Sequence, residues 1–378
     1  MRRTPKENIN QSFINLIRKA HGLIENSDIE KHRHSQDQMG ALFGNSREVA
    51  VTETTVGSMY AEWIRVDRPH SGKKIILYCH GGGYSTGSPL YARTLTTKLA
   101  SQLSMDVFCF DYRLAPEHPY PAAVDDAQTA WDYLMLQGYG AKDIFVAGDS
   151  AGGNLALALG LRLKKQKRML PAGFVLMSPW TDLTVSGKTH ETKADVDPVL
   201  NQNYLNEMIE NYVPQAKKVQ MEAVKPLQEG NTLQTANTLR EANALQEGNT
   251  IQAAGTLQER NTLQTANTLQ TAGTEKQKPG DKFANKVFEE IFDTEYLRNP
   301  EISPLFGDFT GFPPTYIQVG DLEVLMSDST MLQKKMSGEG VAVSLDTYKN
   351  MWHVFQMGPF KTAVEAIHKC GEFIYSVQ

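Results

Sequence analysis

The chain has 378 residues, enough for one large domain or two small ones with a sizeable buried core. Hydrophobic residues make up 40% and charged residues 21%, which is ordinary for a soluble globular protein. With 38 Lys and Arg against 43 Asp and Glu, the formal net charge is −5, a balance that gives no indication of a nucleic-acid partner.

Neither the N-terminus nor the cysteine content indicates export or membrane insertion. Apolar residues recur at helical spacing near the N-terminus: Ile9, Phe13, Leu16, Ile17, Ala20, Leu23 and Ile24. This amphipathic pattern is neither a secretory signal nor a membrane span. The three cysteines are too few for a disulfide framework, and we expect Cys79 and Cys109 to be small buried hydrophobes. A cytoplasmic protein without stable membrane insertion is therefore expected.

Five short apolar runs predict the strands of a parallel sheet, at residues 75–78, 107–110, 144–147, 174–177 and 316–319. Because these runs are apolar at most positions and do not alternate, both faces of each strand should be covered by helices. Ala122–Leu136 and residues 151–163 fit as crossover helices. A last strand is expected at 341–348 and a closing helix at Lys361–Ser376. The pattern predicts an α/β fold with a mostly parallel, doubly wound sheet.

Residues 227–274 interrupt this order with eight hexapeptide units in register, beginning LQEGNT, LQTANT and LREANA. On a helix, a period of six advances roughly 240° per unit and scatters the apolar residue over three faces. Gln, Asn and Thr dominate, so little apolar surface is available for burial. We interpret this low-complexity block as a flexible or weakly ordered insertion in preference to a small β-solenoid, where an even period keeps each Leu on one side.

The strongest chemical signal is the run Gly-Asp-Ser-Ala-Gly-Gly that ends at Gly153 and directly follows a predicted strand. A G-x-S-x-G run between a strand and a helix is the nucleophile elbow of serine hydrolases. Gly148 and Gly152 keep open a turn that is too tight for side chains, while Ser150 takes a strained backbone and exposes its hydroxyl. We therefore predict Ser150 as a nucleophile in preference to an ordinary glycine-rich turn.

A second glycine-rich run, His80-Gly81-Gly82-Gly83, also follows a predicted strand. Glycines allow the backbone to approach a substrate closely, and preorganised N–H groups stabilise an oxyanion as its charge develops. The predicted donors are the amides of Gly82, Gly83 and Ala151. His80 comes too early in the chain to be the base, and a role in holding the loop is favoured.

A serine nucleophile needs a base within hydrogen-bond reach and a carboxylate that orients the base. His353 follows the last predicted strand and precedes the last helix, so its loop can place the imidazole over the nucleophile. After the strand at 316–319, either Asp321 or Glu323 fits as the acid, while Asp328 is expected to begin or cap the next helix.

These motifs together resemble the hormone-sensitive-lipase-like family of α/β-hydrolase esterases. Besides the two glycine-rich runs, the resemblance rests on YRLAPEHPYPAA at 112–123, DPVL at 197–200, SPL at 303–305 and the region around His353. It covers most of the chain except the repeats and their flanks. Many members carry Asp-Pro-Leu at the acid position, and alignment on Leu325 puts Glu323 there. The chain therefore resembles the members that use Glu.

The resemblance also implies a domain organisation and a chemistry. An α/β-hydrolase core is expected at 46–213, including cap helices from about 180, and at 292–378. The N-terminal segment 1–45 would complete the helical cap, and the repeats would lie in an insertion at 214–291. Short acyl esters are the implied substrates, with neither cofactor nor metal, and the family often forms homodimers through an edge strand.

The predicted function is a serine carboxylesterase with the triad Ser150, His353 and Glu323. Two alternatives stay open. The fold also serves as a small-molecule receptor, although receptors typically lose a triad member and here all three have candidates. In the other alternative, the repeat block is an interaction module carried on a hydrolase.

Overall fold

The computed structural model of the chain describes residues 14–15, 18–19, 28–68, 73–218 and 283–377. The described residues up to Lys218 and from Phe283 onward belong to one compact unit. The hexapeptide repeats and most of the N-terminal amphipathic pattern lie outside the described residues, so the expectations for them stay predictions. The domain boundaries given above likewise stay predictions.

Within the described residues, eight strands form one sheet in the order β1-β2-β4-β3-β5-β6-β7-β8. Their bounds are Val49–Val56 (β1), Met59–Val66 (β2), Ile75–Cys79 (β3), Asp106–Phe110 (β4), Ile144–Asp149 (β5), Gly173–Met177 (β6), Thr315–Gly320 (β7) and Val343–Tyr348 (β8). The six strands from β4 through β3 to β8 in this order pair in parallel. Strand β2 pairs antiparallel with both β1 and β4. The mostly parallel sheet of the prediction is therefore confirmed.

Helices pack on both faces of this sheet. From residue 28 onward the longer ones are Ile29–Phe43 (α1), Pro89–Leu103 (α2), Ala122–Leu136 (α3), Ala151–Lys165 (α4), Gln202–Tyr212 (α5), Phe283–Ile291 (α6), Met326–Gly338 (α7) and Lys361–Ser376 (α8), with single turns at Thr189–Thr192 and Thr294–Leu297. The bounds of α3 and α8 coincide with the predicted ones. One buried cluster joins the sheet to α2 and α8, and the other joins it to α3, α4 and α7.

The β1–β2 hairpin was not predicted, and its burial pattern explains why. Strand β1 lies at the edge of the sheet, and most of its residues are exposed, including two threonines and a glutamate. Such a strand needs no continuous apolar run. Gly57 turns the hairpin with φ +62°, a left-handed conformation that costs glycine little.

The chain segments on either side of the undescribed stretch 219–282 contact each other. Lys217 forms an antiparallel bridge with Phe292, and the Lys218 N–H donates to the carbonyl of Ile291 over 2.8 Å. These contacts join the chain near both ends of the predicted insertion. Before the bridge, α5 buries Met208 and Tyr212 among other residues on its inner face.

The cysteines of the core are buried, and each is a free thiol. Cys79 and Cys109 end up in the interior of β3 and β4, as the apolar runs predict. No helix in the described parts of the chain is long and apolar enough to cross a membrane.

Candidate active site

The candidate catalytic residues follow the carboxyl ends of neighbouring parallel strands. Ser150 follows β5 and Glu323 follows β7, with β6 between them, while His353 comes after β8. In an open α/β sheet, functional side chains collect at this edge because all parallel strands end there. Sheet topology thus brings together residues that are far apart in the sequence.

Ser150 lies in a turn with the steric constraints expected of a nucleophile elbow. Its backbone has φ +53° and ψ −122°, which is rare for a residue with a Cβ atom. A Cβ at position 148 would lie 2.3 Å from the carbonyl oxygen of Gly152, and one at position 152 would lie 2.0 Å from that of Cys79. The turn therefore requires both glycines, and it leaves Ser150 partly exposed at the N-terminus of α4.

His353 and Glu323 form a buried pair. The imidazole Nδ1 lies 3.0 Å from Oε2 of Glu323, whose side chain is inaccessible to solvent. An ionised carboxylate can only accept, so Nδ1 carries the proton and Nε2 is left as the basic nitrogen. Burial lowers the pKa of His353, but the hydrogen bond and charge of Glu323, together with nearby Asp197 and Asp149, outweigh it and raise the pKa above 6.5.

Of the two candidate acids, the structure joins Glu323 and not Asp321 to His353. The Gly320 N–H donates to Oε1 of Glu323 over 2.5 Å, which directs the other carboxylate oxygen to the imidazole. Asp321 instead accepts from the N–H of Asn350 over 2.6 Å, within the turn that precedes the histidine. The two carboxylates therefore face different partners although they are only two residues apart.

Consecutive residues at the end of β6 bind the turns that carry Ser150 and His353. The Ser150 N–H donates to the Met177 carbonyl over 3.0 Å. The Val354 N–H, next to the histidine, donates to the hydroxyl of Ser178 over 3.2 Å. The turns that carry Ser150 and His353 are thus anchored to adjacent points of one strand end.

The oxyanion-loop candidates have the backbone geometry that only glycine adopts easily. Gly82 has φ +115° and Gly83 has φ +61°. A Cβ on Gly82 would lie 2.1 Å from the Thr86 carbonyl oxygen, and one on Gly83 would lie 2.7 Å from the side chain of Met208. Among the residues that the structure describes, no acceptor takes up the N–H groups of Gly82, Gly83 or Ala151. Three backbone donors are therefore available at the elbow and the loop beside it.

His80 supports this loop from inside the core. Its ring stacks on Tyr112 with centroids 4.0 Å apart, and its Nδ1 lies 2.8 Å from the Gly81 carbonyl oxygen. Burial lowers the pKa of His80 to about 4, so the ring is neutral at physiological pH. The hydroxyl of Tyr112 donates to the His80 carbonyl over 2.8 Å. These contacts fit the loop-holding role expected from the sequence.

Two buried acidic residues near the site, Asp149 and Asp197, were given no role in the sequence analysis. Asp149, inside the elbow motif, accepts from the Tyr78 hydroxyl over 2.6 Å and from the Gly81 N–H over 3.0 Å, so it joins the elbow to the candidate oxyanion loop. Asp197 is buried and accepts from the Val324 N–H over 2.8 Å, and burial raises its pKa to about 6. The one sequence signal for Asp197 was its place in the DPVL run at 197–200, which matches the family.

Asp328 does not begin or cap a helix, contrary to the expectation. Helix α7 begins two residues earlier, at Met326. The buried Asp328 carboxylate accepts from the N–H groups of Thr181 and Asp182 and lies 3.1 Å from Nε2 of His190. It therefore fixes the segment that leaves β6 against α7, a long-range contact that no local pattern indicates.

Comparison with known proteins identifies the family. A family model of the α/β-hydrolase fold matches residues 76–275 and 240–357. An esterase of Acinetobacter venetianus is 31% identical over 343 residues, which cover 90% of this chain and 87% of that protein. A crystal structure of a hormone-sensitive lipase from a metagenome library matches with a TM-score of 0.70 at 30% identity, covering 97% of each chain. The chain belongs to the hormone-sensitive-lipase-like family of α/β hydrolases.

As a hormone-sensitive-lipase-like hydrolase, the protein is a carboxylic-ester hydrolase. It is also similar to an acetyl-hydrolase of Streptomyces hygroscopicus, with 29% identity over 330 residues that cover 87% of this chain and 83% of that protein. Family, fold and enzyme class are thus confirmed. The roles of individual residues in this hydrolase stay predictions.

Proposed function

We propose that this hydrolase is a serine carboxylesterase that cleaves short-chain acyl esters through an acyl-enzyme. Ser150 is the nucleophile, His353 the base and Glu323 the acid, with the amides of Gly82, Gly83 and Ala151 as the oxyanion hole. The observation that carries the proposal is the buried hydrogen bond of 3.0 Å between His353 Nδ1 and Glu323, at the sheet edge where the elbow ends.

The proposed chemistry uses each of these groups in turn. Nε2 of His353 accepts the Ser150 proton while Oγ attacks the ester carbonyl, and the carboxylate of Glu323 stabilises the imidazolium that forms. The three backbone N–H groups stabilise the tetrahedral oxyanion. His353 then returns the proton to the leaving alcohol, and a water that it deprotonates hydrolyses the acyl-enzyme.

Two observations support short acyl chains as substrates. The side chain of Met208, on α5, packs close against Gly83 of the oxyanion loop and is itself buried. Tyr212 of the same helix stacks on Tyr84 with ring centroids 3.7 Å apart. Bulky side chains thus lie directly against the loop that would hold the carbonyl oxygen, which favours small acyl groups there. The similarity to an acetyl-hydrolase points in the same direction.

The proposal is tested by turnover of p-nitrophenyl esters whose acyl chains range from two to sixteen carbons. The expected kcat/KM is highest for the shortest chains and falls steeply as the chain lengthens. The Met208→Ala variant should extend the accepted length. Activity that peaks on the longest chains contradicts the substrate class, and binding of the esters without turnover contradicts the enzymatic role.

A further inference from the structure

One hydroxyl contacts both the candidate acid and the turn that carries the candidate base. Ser178 Oγ lies 2.7 Å from Oε1 of Glu323, to which it donates. The same oxygen accepts the N–H of Val354, the neighbour of His353, over 3.2 Å. A hydroxyl has one proton to donate and two lone pairs to accept with, so both bonds form at once.

The position of Ser178 is fixed independently of these two bonds. Its N–H donates to the carbonyl of Gln318 on β7 over 2.7 Å, and its side chain is completely buried. The backbone has φ +49°, in the left-handed region that residues with a Cβ seldom adopt. A small polar residue is thus held in a costly conformation, with its hydroxyl aimed at Glu323.

We propose that Ser178 is a positioning residue that sets the orientation of Glu323 and of the His353 turn through a single hydroxyl. The inference rests on the proposed function, because it assigns Ser178 to the same acid–base pair. Ser178 itself touches neither the reacting ester nor Ser150 Oγ in this assignment. It acts on the reaction only through the two residues that it holds.

Removing the hydroxyl has two consequences at once. Oε1 of Glu323 loses one of its two donors and keeps only the Gly320 N–H, so the carboxylate is held less firmly toward the imidazole. The Val354 N–H loses its acceptor in the interior, which is costly for a buried donor. Both changes weaken the support that Glu323 gives to the protonated imidazole. The other acidic groups around His353, Asp197 and Asp149, stay in place.

The Ser178→Ala variant keeps the Cβ and therefore adds no new backbone strain. Loss of a hydrogen bond to a charged group corresponds to a drop of about 10- to 100-fold in kcat, with KM little changed. Burial lowers the pKa of His353, and weaker support from Glu323 offsets this effect less. The acid limb of the pH profile of kcat/KM should therefore move to lower pH. The Ser178→Gly variant, which suits φ +49°, should behave alike and serves if the alanine variant folds poorly.

Ser329→Ala is the matched control. Ser329 is also completely buried, and its hydroxyl has no hydrogen-bond partner among the described residues. The control should keep the wild-type kcat and pH profile. Reaction with diethyl p-nitrophenyl phosphate, which releases one p-nitrophenol per competent serine, gives the fraction of active enzyme in every preparation. NMR titration of the His353 ring gives its pKa without any substrate.

The outcomes separate positioning from mere folding. A lower kcat per titrated serine, with the acid limb and the NMR pKa of His353 both shifted downward, supports the proposal. Wild-type kinetics, or a loss explained by fewer titrated serines with an unmoved His353 pKa, overturns it. Failure of the proposed function gives a different result: either the wild-type protein does not hydrolyse esters, or the Ser150→Ala variant retains ester turnover. The NMR comparison then still tests Ser178.

Discussion

Replacing Glu323 by Gln tests the acid with almost no change in volume. Oε1 of Glu323 receives the Gly320 N–H and the Ser178 hydroxyl. The amide oxygen of Gln should take that place, which turns the amide NH₂ toward Nδ1 of His353. An imidazole that accepts at Nδ1 carries its proton on Nε2, so it cannot deprotonate the serine.

The size of the effect follows from the distance between the two groups. Opposite charges 3.0 Å apart attract by about 5.5 kcal/mol at an effective dielectric constant of about 20. Since each 1.36 kcal/mol is a factor of about ten in rate, loss of the carboxylate charge should lower kcat on the order of 10⁴-fold. Loss of the acid in a Ser-His-Asp triad has a similar cost.

The assay is kcat for p-nitrophenyl butyrate at the pH optimum, with circular dichroism as a check of folding. Asp321→Asn is the matched control, because its carboxylate accepts from Asn350 in the turn and not from the imidazole. The control should retain activity within a few-fold. If Asp321→Asn loses more activity than Glu323→Gln, the acid is misassigned and the reasoning from the hydrogen bonds is refuted.

Three further predictions concern pH, stability and the repeats. Because the pKa of His353 is raised, the acid limb of kcat/KM should lie above pH 6.5, and a limb below that value contradicts the buried pair. Burial lowers the pKa of Lys98, which binds three carbonyls of the turn after His353, to about 8. Between about pH 8 and its ordinary pKa of 10.5, Lys98 is deprotonated in the folded protein but protonated in the unfolded chain, so a rise in pH stabilises the fold. The Tm of the wild type should therefore rise relative to that of Lys98→Met over this range, and a constant Tm difference refutes this. Excision of 227–274 should leave a folded, active esterase with stability changed by about a kcal/mol or less, and an insoluble product would favour packed repeats.

The parts of the fold that the sequence predicts are those with a continuous local pattern. The buried parallel strands are apolar at most positions, and α3 and α8 carry regular apolar spacing. The predicted bounds of these elements therefore lie close to the observed ones. The edge hairpin of β1 and β2 was missed because the largely exposed β1 mixes Thr and Glu with apolar residues, and Glu62 and Arg65 interrupt the apolar residues of β2. Asp328 was misread for the same reason, since its partners Thr181 and Asp182 lie far away in the chain.

The candidate site divides along the same line. Glycine-rich motifs predict Ser150 as the nucleophile and residues 80–83 as the oxyanion loop, because their turns exclude side chains. The local residue pattern leaves Asp321 and Glu323 equal. The family resemblance favours Glu323, and in three dimensions it is the Glu323 carboxylate that faces the imidazole, while that of Asp321 faces Asn350. Ser178 has no motif of its own. Its proposed role depends on β6 lying between β5 and β7, which only the sheet order reveals.

The most direct test of the central assignment is p-nitrophenyl acetate hydrolysis by purified Ser150→Ala protein, beside wild-type enzyme prepared in the same way. Loss of a triad nucleophile typically costs several powers of ten in rate, so turnover should fall to near background while the circular dichroism spectrum stays unchanged. Mass spectrometry of the wild-type enzyme after diethyl p-nitrophenyl phosphate treatment should find the adduct on Ser150. Substantial turnover by the folded variant, or an adduct on another residue, would contradict the assignment of Ser150 as the nucleophile.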